Sequence, residues 1–512
     1  MNCTLLKPHV SSIGYAIFLV INAAQIWGGI FPFLPKDFQT DEVTLTFYLS
    51  QTFSFCAAFI ASTLGSYYFP KQARRMLVTL STAMVFSGSS CIIAAMYLPV
   101  YTLLFILAGG VFLGVGTAGL FMLWQRYFSS IPSEACNYRL ALGTVFASVC
   151  YFALYAVPTA LTAFLVPLVF LPICALCLSL SVREMTFDQP MFEDIPQEHP
   201  QVYLQLLKDS RADALCVGAI AFSSGLARGV AIVNPAVSDV VNSASMTGSL
   251  IAGLILLALW LTSSVRFGLR TIFRTVYPII ITGLLLFPFM HHAGLSLFAG
   301  LTYMTFSLIL LIMMMQCAQT SRDRGTNPVF AYGFFGSVAY VMQSVGFLLG
   351  WFANDVAIFG VEQVTLLSLI AAYVLGMALL TSTGSFAGQA TPESASQIEF
   401  TATNARSKEK ASTIPERNAG KTRKPKKAIA SDGHVITDRL SKQCLVVKAQ
   451  YGLSSRETEV MELIARGRSM VAIAEDLFIS ENTVRTHCKH IYGKLDIHSR
   501  QELSDLVSNT EL

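Results

Sequence analysis

Near the end of the chain, Asn482, Arg485, Thr486 and Lys489 share one side of a helical stretch, all of them hydrogen-bonding residues. Val484, Cys488, Ile491 and Leu495 recur on the other side at spacings of four, three and four, the period of a helix packed on a core. A helix that shows such a polar face, held by a turn to a second helix, is the geometry that lies in a DNA major groove. The sequence offers no competing bond-making chemistry. It has no phosphate-binding Gly loop, no metal-ligand cluster and no receiver-like acidic pocket. Cys174 and Cys177 form a CxxC, but in an apolar run without a second ligand pair, which reads as packing. No catalytic residue, metal or cofactor is expected, and the protein is not expected to be an enzyme.

The polar face needs neighbours to hold it. A first helix opens at Ser454, with Glu457 at the capping-box spacing, and runs to a stop at Gly467. A short second helix starts at Ser469 and carries Val471 to Leu477, before a new cap at Ser480 opens the third. Ser499 with Glu502 repeats the box for a fourth. The residues Leu453-Ser-Ser-Arg-Glu-Thr-Glu-Val460, Gly467, Ile473-Ala-Glu-Asp-Leu-Phe-Ile-Ser480, Thr483-Val-Arg-Thr-His487 and Lys494-Leu495 resemble the LuxR-type helix-turn-helix. That resemblance covers about the last sixty residues. It implies base-edge contacts from Arg485, Thr486 and Lys489, and phosphate contacts from Ser480, Asn482, Thr483 and Lys494. It also implies pairing of two heads through the fourth helix, Ser499–Val507, on an inverted-repeat site in double-stranded DNA. Met470-Val-Ala472 departs from the polar run the family shows at the start of helix two, which leaves helix three as the main bearer of affinity. From 437 to 512 there are ten Lys/Arg against eleven Asp/Glu, so a protein-binding bundle is the bland alternative. Helix three concentrates Arg485, Lys489 and Lys494 against Glu481 alone, and a first-turn acid suits the helix dipole.

The rest of the chain is of another kind. With 54% hydrophobic and 13% charged residues and mean hydropathy +0.57, most of it must lie in a membrane. Twelve apolar stretches approach or exceed the roughly 20 residues a hydrocarbon core requires. Six lie near 11–33, 43–69, 76–98, 100–123, 140–158 and 159–182, and six near 212–233, 245–265, 271–289, 293–317, 328–353 and 358–381. Pro158 and Pro167 leave open whether the fifth and sixth are one interrupted segment. Taken alternately, the loops put fourteen Lys/Arg on one side and Lys36 on the other. The positive-inside rule then places both termini in the cytoplasm, with the chain in the inner membrane of a bacterium.

The expected fold is thus all-α: a polytopic bundle of about twelve spans over 1–383, a basic linker over 384–436, and a soluble four-helix head over 437–512. The 6+6 layout resembles the major facilitator superfamily of transporters. In the loop after span two Gly65 and Arg74-Arg75 follow that family, whereas Phe69 and Gln72 stand where an acid and a second Gly belong.

Candidate ligand-binding residues are the polar groups inside the spans: Arg228, Asn22, Gln25, Gln51 and Gln343. No acid in the spans is expected to pair with Arg228, which either faces inward to bind an anionic ligand or snorkels to the outer interface. Interhelical hydrogen bonds explain the four amides equally well. The linker is read as a disordered tether whose basic second half, Arg406 to Lys427, suits lipid headgroups, DNA phosphates or plain solvation. A tether of this kind transmits no rigid motion, so the bundle is expected to act on the head only through local concentration, pairing or release from the membrane. These readings converge on a membrane-embedded regulator that senses a small ligand or membrane signal. The alternative is a secondary transporter with a regulatory DNA-binding tail.

Overall fold

The computed structural model describes residues 9–510 except 26–37, 39, 74, 76, 186–188, 198–199, 234, 263–264, 268, 287–292, 353–362, 383–397, 401–438, 467–469, 471–472, 475–476 and 478–480. Twelve helical rods occupy the first part. They are α1 (Val10–Gln25), α2 (Asp41–Tyr68), α3 (Val78–Tyr97), α4 (Thr102–Ser130), α5 (Ser133–Ala153) and a composite α6, then α7 (Pro200–Val233), α8 (Pro235–Thr262), α9 (Leu269–Leu286), α10 (Ala293–Arg324), α11 (Pro328–Phe352) and α12 (Gln363–Ser382). The composite rod α6 joins Thr159–Leu165, the π-turn Val166–Phe170 and Leu171–Arg183. Pro158 caps its start and Pro167, which has no N–H to donate, sits in the π-turn, so α5 and α6 are two rods, the second bulged.

Among the described residues, eight helices are long and apolar enough to cross a membrane, and three shorter apolar ones, Val10–Gln25, Met246–Leu259 and Ile272–Leu286, stand in the same bundle. The twelfth rod is α7, whose apolar run is interrupted by Arg228. Aromatic residues such as Phe18, Phe47 and Phe347 are fully buried, while Phe53, Leu104, Leu161 and Phe352 stand outward. An outer surface as apolar as this is covered by lipid rather than water, and the chain is a membrane protein.

The packing order is symmetric. The second rod of each half lies against the fifth rod of the other, α2 on α11 and α8 on α5, so the two six-rod halves meet across a pseudo-two-fold interface. Within the second half, α7 and α11 approach closely through glycine. A Cβ on Gly225 would overlap the Gln343 carbonyl, and one on Gly346 the Phe222 carbonyl. That contact fixes where Arg228 and Gln343 stand.

The head comprises α13 (Arg439–Tyr451), α14 (Ser455–Ala465), α15 (Glu481–Leu495) and α16 (Arg500–Asn509). Its core is separate from that of the bundle, and Cys444 and Val447 of α13 are fully buried in it with Val460, Val484, Ile491 and Val507. The short second helix lies outside the described residues except Met470, Ile473, Ala474 and Leu477.

The fold is all-α as expected, with one short antiparallel ribbon among the described residues, Val265–Phe267 (β1) paired with Ile398–Phe400 (β2) and Arg266 opposite Glu399. Three other expectations are corrected. β2 belongs to the stretch read as a free tether and packs near α5 and α10, so the linker is anchored at one point; the remainder of 384–436 lies outside the described residues. The head is also not independent of the bundle, because α13 packs on α10 and Lys442 Nζ pairs with Asp323 Oδ1 at 2.6 Å. Finally, the spans do contain acid. Asp213 is 2% exposed in α7, and α8 begins at Pro235, so Asp239 falls within that rod.

Candidate functional site

Two sites emerge, one on a surface and one in an interior. In the head, Ser454 caps α14 by accepting from Glu457 N, and Glu457 Oε2 accepts in return from Ser454 N at 2.7 Å, a complete capping box. Lys494 Nζ donates to the same carboxylate at 2.8 Å and to Gly452 O at 3.3 Å, which ties the end of α15 to the start of α14. The Lys494 hydrogen bond, with the backbone bond from Ser454, lowers the Glu457 carboxyl from its ordinary value to about 2. At α16 the box is incomplete. Ser499 accepts from Glu502 N, but the Glu502 carboxylate reaches His498 N and the Ser499 hydroxyl instead of Ser499 N, and these bonds lower its pKa.

With Val484, Cys488, Ile491 and Leu495 all buried, the rotation of α15 about its axis is fixed. Thr483, Arg485, Thr486 and Lys489 then stand exposed on the opposite side. Asn482 lies in the first turn of α15, and its side chain, like all of Ser480, is outside the described residues. The structure therefore brings together the three residues assigned to base edges and Thr483 of those assigned to phosphates. Lys494 lies at the far end of the helix, engaged with Glu457.

In the bundle, the two halves enclose a cavity of about 80 Å³, room for several water molecules or a small ligand. Both halves supply its wall: Tyr48 and Gln51 from α2, Tyr303 and Met314 from α10, Tyr340 and Gln343 from α11. Tyr15 OH of α1 donates to Met314 Sδ at 3.3 Å and bridges the halves at the wall. Gln343 Nε2 donates to Ser224 Oγ at 3.3 Å, and Gln51 Oε1 accepts a long bond from Thr52. Arg228 is 1% exposed, so it does not snorkel to the outer interface. It stands behind the wall, where Nε donates to Tyr303 OH at 2.8 Å and the guanidinium lies 4.9 Å from the centre of that ring.

The other two candidates, Gln25 and Asn22, do not line this cavity. Gln25 Oε1 accepts from Ser89 Oγ at 2.9 Å and joins α1 to α3. Asn22 donates to Phe18 O of its own helix at 2.7 Å, while its buried Oδ1 meets no hydrogen-bond partner among the described residues. Sequence reasoning missed the tyrosines that form most of the polar wall, because it searched the spans only for charged and amide groups. It also missed Asp213, whose Oδ2 accepts from Gln316 Nε2 at 3.5 Å while Gln316 Oε1 accepts from Leu269 N.

Residues 452–507 match the family described as bacterial regulatory proteins, luxR family. A response regulatory protein, YgeK of Escherichia coli strain K12, is 38% identical over 77 residues, which is 14% of this chain and 52% of that protein. The chain spans about half the length of that curated relative and under a third of others it matches. For the bundle, a bacterial homologue of the iron transporter ferroportin, in its outward-facing state, aligns at TM-score 0.50 and 11% identity over 74% of this chain and 99% of that one. The Major Facilitator Superfamily transporter FucP aligns at TM-score 0.47 and 14% identity over 74% and 98% of the two chains. The protein therefore joins a membrane bundle that shares the fold of that ferroportin homologue to a C-terminal segment, residues 452–507, that matches the luxR family.

Proposed function

We propose that this chain is a membrane-embedded transcriptional regulator whose bundle senses a small ligand and whose head binds double-stranded DNA. One observation carries the reading: Arg485, Thr486 and Lys489 are exposed on a helix whose opposite side is locked in the head core. In the complex these three residues contact base edges, with Ser480, Asn482, Thr483 and Lys494 on phosphates. Lys494 exchanges its Glu457 partner for a phosphate in doing so. No chemical step is needed, and the function is binding alone.

The ligand site is the central cavity, with Gln51 and Gln343 as hydrogen-bonding groups and Arg228 as the cation that an anionic ligand draws away from Tyr303. The head lies at the end of the bundle that carries Arg322 and Arg324, one of the Lys/Arg-rich loop positions, which supports cytoplasmic termini in a bacterial inner membrane. Two heads pair on an inverted repeat through Ser499–Val507. Leu503 and Val507 are fully buried within one head, so the pairing surface is the polar outer side of α16, where Glu502 and Asp505 are exposed. The basic linker adds attraction to anionic lipid or to DNA.

Mapping the chromosomal sites bound by the intact protein, with and without candidate metabolites, tests both halves of this reading. Absence of any sequence-specific site would remove the DNA-binding role, and occupancy that no metabolite changes would remove the sensing role. A second reading, a transporter with a regulatory tail, is favoured by the cavity wall being shared between two halves. Uptake into vesicles carrying the protein separates the two.

A further inference from the structure

Three consecutive residues close α10, and each holds a different body. Arg322 Nη1 donates to Phe128 O at 2.9 Å and to Ile131 O at 2.6 Å, the end of α4 and the turn into α5, and so joins the second half of the bundle to the first. Asp323 pairs with Lys442 of the head at 2.6 Å. Arg324 pairs with Asp209 of α7 at 2.7 Å and stays within its own half. The same end of the bundle is where β2 of the linker approaches α5 and α10, so both halves also meet the chain that leads to the head.

We propose that Arg322-Asp323-Arg324 is a latch that keeps the head docked on α10 while the two halves are closed at this end, and lets it go when they part. Arg324 keeps the end of α10 moving with α7. Arg322 is the group that has to give way, and it is held loosely for a buried cation. It is 2% exposed, bonded to two carbonyl oxygens, set beside the buried Cys136 thiol, paired with no carboxylate among the described residues, and its Nε and Nη2 find no nitrogen or oxygen partner there. A buried charge compensated this incompletely makes the closed junction shallow, because opening it returns the guanidinium to water. Asp323 is the next residue, so displacement of Arg322 displaces the anchor of the head.

The docked head keeps Thr483, Arg485, Thr486 and Lys489 exposed, so docking does not act by covering the reading helix. It acts by fixing where each head can stand, and heads fixed to separate bundles pair only when the latch releases them. This extends the reading above by supplying its means of communication, and does not depend on which ligand is sensed.

A carbodiimide joins a carboxylate to an amine only where the two touch, and so reports the Asp323–Lys442 contact directly in membranes containing the full-length protein. Mass spectrometry should find the 323–442 amide in the unmodified protein, and its absence from correctly inserted protein would overturn the docking. Asp323→Lys or Lys442→Asp alone should abolish it, and the double exchange should restore it; failure of that restoration counts equally against the pair. Arg322→Gln should lower the amide yield several-fold, whereas an unchanged yield in inserted protein would break the link between the halves and the head. Should Arg322→Gln not insert, Arg322→Lys, whose shorter side chain cannot place its ammonium where Nη1 stands, should give an intermediate yield, and an unchanged yield there overturns the link instead. A yield that follows Arg322 in a protein whose DNA occupancy no metabolite alters would sink the sensing reading and leave the latch standing.

Discussion

The head and the bundle put their informative residues on opposite sides of their helices. In the head, the core-facing positions Val484, Cys488, Ile491 and Leu495 set the orientation of α15, and the exposed positions carry the chemistry. In the bundle the exposed positions meet lipid, and the groups that could recognise a ligand, Gln51, Tyr303, Gln343 and Arg228, are inside or behind the cavity wall. The solvent explains the inversion. In water a polar group at the surface is free to engage a partner, whereas in a bilayer it is stable only when turned inward. Substitutions that alter function should therefore fall on the exposed side of α15 in the head and on the inward side of the rods in the bundle.

The largest effect should come from breaking this rule in the head. Val484→Asp puts an unpaired carboxylate into the head core and should cost about 3–5 kcal/mol. Circular dichroism of the head should show loss of helix, while the full-length variant still inserts. A head that stays folded would mean that α15 is not oriented by that core.

In the bundle, Arg228→Gln is the sharper probe. Insertion and DNA binding should persist while reporter expression stops answering the signal, because the guanidinium that faces Tyr303 is gone. A normal dose response would assign Arg228 to packing. On the reading face, Lys489→Ala should weaken binding to a specific site by about 1–3 kcal/mol with little effect on random DNA. Equal losses on both DNAs, measured by titration at fixed salt, would move Lys489 to the phosphate contacts.

The smallest effect tests whether the head has functional and structural groups that overlap. Lys494→Ala removes the ammonium that holds the Glu457 carboxyl at about 2. For an ion pair worth about 1 kcal/mol in a small domain, the head should melt about 4–8 °C lower. Glu457 is depressed below its unfolded value, so its contribution is present above about pH 4.5 and fades as pH falls toward 2. The difference in melting temperature between wild type and Lys494→Ala should shrink over that window, and a difference undiminished at pH 2 would exclude the Glu457 pair as its cause. The same variant should weaken binding to all DNA sequences alike.

Several elements were legible because a local rule was enough. The Ser454 box and the four-three-four apolar spacing of α15 each depend on residues close in sequence. Rod number in the bundle was legible because bilayer thickness sets length. The rod ends were less so: α7 starts at Pro200 and α10 runs on to Arg324, because a helix does not stop where hydrophobicity does. The choice among the amides in the spans was not legible at all, since Gln25 and Gln51 differ only in what lies across from them.

The sequence by itself determined the two kinds of domain, the side of α15 that faces outward and the charge asymmetry of the loops. These rest on periodicity and composition, which neighbouring residues define. Only the tertiary structure decided that Arg228 lies against Tyr303, that Asp213 is buried in the bundle, and that Lys442 meets Asp323 across 119 positions of chain. Contacts over such separations follow from which rods pack together, and a tether read as free could not reveal that its far end is held.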